Sequence, residues 1–188
     1  MTPGGRLAAT AAAAGTLLFV SAANSLAANS YATTLDQGVA AQLDPAHDGN
    51  LSHDTLTPPV GLAWSTSFGS SFNTYPSYPI IDNGKVFVTA RYLTSSQQPW
   101  LVALNMASGA TAWGPVPLAG PGWANLTLEN GRLFAIDGSG WLQAFDENAG
   151  TQIWAKQLSG SFSAPPTASN GTIYISGATT LGGGSGSL

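Results

Sequence analysis

The stretch "GWLQAFDENAGTQIW" (residues 140–154) decides the fold once it is set beneath "PWLVALNMASGATAW" (residues 99–113). Trp100 falls on Trp141, Leu101 on Leu142, Ala103 on Ala144, Gly109 on Gly150 and Trp113 on Trp154, every pair 41 residues apart. Self-similarity of this period marks a repeat architecture, in which one supersecondary unit stacks on the next. A second marker recurs at Asn83-Gly84, Asn130-Gly131 and Asn170-Gly171, followed by the runs "KVFVTA", "RLFAID" and "TIYISGA". Asn-Gly ahead of a β-type run predicts a type I′ hairpin, because both residues accept positive φ. Each unit thus reads strand, Asn-Gly turn, strand, variable loop, strand, glycine turn, strand. That is a four-stranded antiparallel meander of the size of a propeller blade, and the fold class is all-β.

The offset from glycine to tryptophan has a physical reading. Gly109 and Gly150 close the turn between the third and fourth strands, where a left-handed backbone costs glycine nothing. The fourth strand then presents Trp113 or Trp154 to the gap between blades. Each such ring buries about 150–250 Å². Trp64, Trp100, Leu101, Trp113, Trp141, Leu142 and Trp154 are therefore expected to be structural.

The runs Leu142-Gln143-Ala144-Phe145-Asp146 with Gly150 and Trp154, and Leu101-Val102-Ala103-Leu104-Asn105 with Gly109 and Trp113, resemble the PQQ-type β-propeller repeat of the quinoprotein-like family. The resemblance spans roughly residues 42–188, and "DPAHDGN" (44–50) and "PPVGLAWS" (58–65) are similar to the lead-in of its exported bacterial members. It implies a lone strand near Trp64 that closes a ring, two full blades and half of another, over residues 58–188. The final "GSL" falls where a third strand of the third unit would start, so the expectation is the N-terminal part of a longer propeller.

Composition sets further bounds. Only 5 Lys and Arg stand against 9 Asp and Glu in 188 residues, with no basic run, so nucleic acid is not an expected partner. Cysteine is absent, which excludes disulfides and thiolate metal sites. Residues 7–20, "LAATAAAAGTLLFV", form an uncharged run after Arg6, and Ser25-Leu26-Ala27 follows with small residues around Leu26. This reads as a signal helix over residues 1–27, too short to span a bilayer, ahead of a lead-in segment at 28–57. An exported, periplasmic or extracellular protein with no stable membrane insertion after cleavage is expected.

Candidate site residues are few. Asp44, His47, Asp48, His53 and Asp54 have metal-ligand chemistry, but their spacing fits a capped turn better, and no metal is assigned. No Gly-x-Ser-x-Gly elbow is present, and no catalytic residue is assigned. Tyr75, Tyr78, Trp123 and Phe162 all precede an innermost strand, at the rim where propellers commonly take ligands. Aromatic rims suit a protein or small-molecule ligand. The family resemblance implies two roles. One is a non-catalytic binding or scaffold platform, as in the propeller subunit of the outer-membrane barrel-assembly machinery. The alternative is a fragment of a PQQ-dependent dehydrogenase, with quinone and calcium in the channel. A sensor or surface domain fused to another module is a third reading, and no cofactor is assigned under the first.

Overall fold

The computed structural model describes residues 16–22, 38–47, 58–68, 74–92, 98–178 and 186–187. Its order is β1 (Thr16–Ala22), β2 (Val60–Ser67), β3 (Thr74–Pro76), β4 (Ile80–Asp82), β5 (Lys85–Tyr92), β6 (Trp100–Asn105) and β7 (Thr111–Pro117). Then come β8 (Ala124–Glu129), β9 (Arg132–Asp137), β10 (Trp141–Asp146), β11 (Gln152–Gln157), β12 (Thr167–Ser169), β13 (Thr172–Tyr174), β14 (Gly177–Ala178) and β15 (Gly186–Ser187). The first blade is β5-β6-β7 with an inner strand split into β3 and β4; the second is β8-β9-β10-β11. All pairings in them are antiparallel. In the third unit β12 pairs with β13, and β14 with β15.

The Asn-Gly hairpins form as their chemistry requires. Asn83, Asn130 and Asn170 have φ of 43°, 52° and 53°, and the glycines after them 70°, 72° and 75°. Left-handed backbone at both central positions matches the twist of the flanking strands. The second recurring turn is built by its first residue. Asn105 Oδ1 accepts from the amides of Ala107 and Ser108, and Asp146 Oδ1 from those of Asn148 and Ala149. The turn closes with the Gly109 amide on the Asn105 carbonyl and the Gly150 amide on that of Asp146, at 2.8 and 2.9 Å.

The tryptophans do more than fill a gap. Within the first blade Ala103 faces Phe87 on one side and Trp113 on the other; Ala144 stands likewise between Phe134 and Trp154. A small residue in the third strand lets the two rings lean over it, at centroid separations of 5.8 and 6.1 Å. Between sheets the contact is tighter. The Trp64 indole lies on Gly109 and donates to the Met106 carbonyl at 2.8 Å; the Trp113 indole lies on Gly150 and donates to the Glu147 carbonyl at 2.9 Å. A β-carbon on Gly109 would meet Trp64 at 2.4 Å, and one on Gly150 would meet Trp113 at the same distance. So glycine is required twice over, for its positive φ and for the ring of the preceding sheet. Trp154, in the same place on β11, is 36% exposed.

The strands at the centre of the two blades are buried on both faces. Phe68, Val86, Val88 and Leu104 pack between β2 and the first blade; Phe87, Leu101, Leu126, Leu133 and Phe145 fill the joint of the two blades. Phe134, Ile136, Leu142 and Ala168 join the second blade to the third unit. Stacked sheets of this kind bury runs that are apolar on both sides, as "VFV" and "LFAI" are.

Of the run expected as a signal helix, Thr16–Ala22 is described, as a strand antiparallel to β2 from Thr16–Ser67 to Ala22–Val60. An open strand edge such as that of β2 leaves N–H and C=O groups for an extended segment to pair with. The rest of residues 1–27 lies outside the described residues. Among the described residues no helix is long and apolar enough to cross a membrane.

Trp113→Ala should lower stability by about 3–5 kcal/mol, the range for deleting a packed aromatic ring. Trp154→Ala should cost roughly 1 kcal/mol or less, like other substitutions at exposed positions. Urea unfolding of the two variants checks the contrast.

Candidate functional site

The site is built on the free edge of the innermost strands. In each Asn-Gly hairpin the residue two before Asn stands opposite a partner to which it makes no ladder hydrogen bond: Ile81 faces Val86, Leu128 faces Leu133 and Ala168 faces Ile173. In a two-residue hairpin such positions turn their amide away from the neighbouring strand, so each needs another partner. A strap of lead-in sequence, residues 38–47, supplies those of Ile81 and Leu128. Gly38 and Ile81 exchange two backbone hydrogen bonds of 2.9 and 2.8 Å. The Val39 carbonyl accepts from the Leu128 amide at 2.8 Å and from Thr127 Oγ1 at 3.0 Å. Thr127 Oγ1 in turn accepts from the Ala168 amide at 3.3 Å, and His47 Nε2 lies 2.6 Å from Thr167 Oγ1. A single strap thus engages three equivalent strands.

Nothing in the composition of residues 28–57 announced this role. The signal available was Gly38-Val39-Ala40, a short uncharged run with no helical or strand period; only tertiary pairing gives it meaning. Val39 also packs against the core between the blades.

The rim residues separate into three environments. Tyr75 and Trp123 meet edge to face at 5.5 Å, and they remain 38% and 45% exposed. Arg91, opposite Tyr75 in the β3–β5 register, lays its guanidinium 4.1 Å from the Trp123 ring centre. Its Nε is buried with no hydrogen-bond partner among the described residues. Tyr78 projects into solvent and, with His47, Pro165, Thr167 and Tyr174, lines a cavity of about 510 Å³. Phe162 is buried, in the core between the second blade and the third unit, against the backbone of Gly177 and Gly140. It presents no surface to a ligand: the Ser161 amide and carbonyl pair with Ala178, which folds the loop inward and carries the ring with it. Sequence reasoning missed Arg91, because a lone arginine inside a β-run carries no motif.

Of the metal-type residues, Asp48, His53 and Asp54 lie outside the described residues. His47 is engaged by Thr167, and Asp44 sits in the turn that the His47 amide closes onto the Asp44 carbonyl at 3.1 Å. Among the described residues no three His, Asp or Glu side chains converge as metal ligands do.

Residues 97–184 match the family model described as outer membrane protein assembly factor BamB. This segment includes both complete Gly-Trp units. Among solved structures, BamB from Moraxella catarrhalis is similar at 25% identity and a TM-score of 0.48, over 62% of this chain and 35% of that one. The chain therefore spans about a third of the length of that relative. No curated protein matches.

Val39→Asp places a charge against the core and should speed hydrogen exchange at the amides of Leu128 and Ile81 by at least tenfold. Unchanged protection there would show that the strap is not what shields those edges.

Proposed function

We propose that this chain is an exported β-propeller binding module, and that its partner is a polypeptide docking on the rim at Tyr75, Trp123 and Arg91. The observation that carries this reading is Arg91. A guanidinium stacked on an exposed indole has its aromatic face satisfied, while its Nε has no hydrogen-bond partner among the described residues; such a group suits a carboxylate. Tyr75 and Trp123 offer rigid apolar area around it, the composition of a binding hot spot. A peptide carrying Asp or Glu beside an aromatic side chain matches both features. The matched family's description as an assembly factor supports a protein partner over a metabolite. The uncharged N-terminal run supports export.

The strap bears on the dehydrogenase alternative. A flat quinone at the propeller axis would need the innermost edges open, and the backbone of Gly38 and Val39 occupies those of β4 and β8. The residues present do not fit that cofactor there, and no oxidoreductase step is derived.

The test is titration of the full chain with a soluble peptide of alternating Phe and Asp, followed by tryptophan fluorescence. Saturable binding should weaken about tenfold in Trp123→Ala, a loss of roughly 1.4 kcal/mol, and weaken again with added salt. Binding that ignores Trp123 would reject the rim as the site. Dye-linked alcohol oxidation on addition of PQQ and Ca²⁺ would replace this reading with the enzymatic one.

A further inference from the structure

Two acidic side chains meet at the joint of the blades and have no place in the binding surface. Asp82 ends β4 in the first blade and is 6% exposed; Glu147 sits in the β10–β11 turn of the second and is fully buried. One amide nitrogen draws them together: Asn83 Nδ2 donates to Asp82 Oδ2 at 3.2 Å and to Glu147 Oε1 at 3.0 Å. Each carboxylate keeps one further oxygen, Asp82 Oδ1 and Glu147 Oε2, and both are buried with no partner among the described residues. Two ionised carboxylates cannot satisfy each other, since each only accepts. Leaving both oxygens bare in the interior would be costly. One proton resolves both.

We propose that Glu147 and Asp82 form a proton-bridged carboxyl pair that clamps the first blade to the second and opens when the proton is lost. Glu147 Oε2–H donates to Asp82 Oδ1; on deprotonation the proton passes to solvent and two carboxylates face one another across the joint. Lys85, opposite Asp82 in the β4–β5 register, gives one of its three donors to Asn148 Oδ1 at 3.0 Å and hydrogen-bonds to neither free oxygen. Arg132, at the start of β9, stands opposite both Glu129 and Asp146 in the strand registers. Glu129 accepts from the Gly171 amide, and Asp44 lies on the strap. The pair belongs to this joint alone among the described repeats, because the residue equivalent to Glu147 in the first blade is Met106.

The direction of titration agrees. Burial raises the Glu147 carboxyl above its ordinary 4.5; the Asn83 bond opposes this, the Asp82 charge adds to it, Lys85 opposes, and the hydrogen bond with Asp82 raises it again. A carboxyl raised on folding gives its full stabilisation below the unfolded value, and that stabilisation is lost as pH climbs through the folded value. The readout is built in, because the Glu147 carbonyl receives the Trp113 indole N–H.

Denaturant unfolding of the full chain across pH, with wild type beside Glu147→Gln, tests the clamp. Gln keeps a donor toward Asp82 Oδ1 at every pH. Wild type should lose stability relative to the variant as pH rises above about 4.5, and the Trp113 indole N–H resonance should shift over the same range. Parallel stability curves, or a variant weaker than wild type at neutral pH, would overturn the proposal. If the variant fails to fold, infrared spectra of wild type decide: a protonated-carboxyl C=O band that outlasts the ordinary carboxylate range supports the clamp, and its absence rejects it. Saturable stabilisation of wild type by Ca²⁺ would show instead that these oxygens hold a cation.

Discussion

The structure depends on an indole seated on a glycine of the next sheet. A β-sheet that is apolar on both faces cannot stand alone in water, so each blade needs neighbours held at a fixed separation. Trp64 on Gly109 and Trp113 on Gly150 set that separation, with a hydrogen bond from each indole to a turn carbonyl fixing the angle. Dispersion alone would allow the sheets to slide. The added polar contact makes the joint directional, and repeating it makes the joints alike.

Alike joints still differ in what they carry. The turn that receives Trp64 has Met106 at its second position, an apolar residue that joins the core beside β2. The turn that receives Trp113 has Glu147 there, and that side chain reaches back to Asn83 and Asp82 of the first blade. One geometry thus holds two chemistries, because the backbone of the turn is fixed by Asn105 or Asp146 and the closing glycine, leaving the second residue free to vary. The strap works in the reverse manner. It is not repeated, yet it takes up the unspent amides of Ile81 and Leu128 in two repeats and meets the third through His47 and Thr167, where Thr127 Oγ1 takes the Ala168 amide.

The candidate site was partly legible. Tyr75 and Trp123 could be placed at the rim from their position before an inner strand, and they do meet at the surface. Phe162 occupies the corresponding connection and is buried, because the Ser161–Ala178 pairing folds that loop toward the core. Position in the repeat told where the loop is, not which way its ring points. Arg91 was invisible for a related reason: its significance comes from stacking on a residue 32 positions away.

The sequence by itself determined the sheets. Asn-Gly pairs, glycine-to-tryptophan spacing and apolar runs are local signals, and local backbone preferences carried them directly into hairpins, turns and strands. Only the tertiary structure decided what fills the open edges: Thr16–Ala22 against β2, where a helix was expected, and Gly38–Val39 along the inner strands. An unpaired edge accepts any extended segment that can reach it, so its partner is set by distance and chain path rather than by a motif. The same holds for Asp82 and Glu147, separated by 65 positions and joined only when the blades stack.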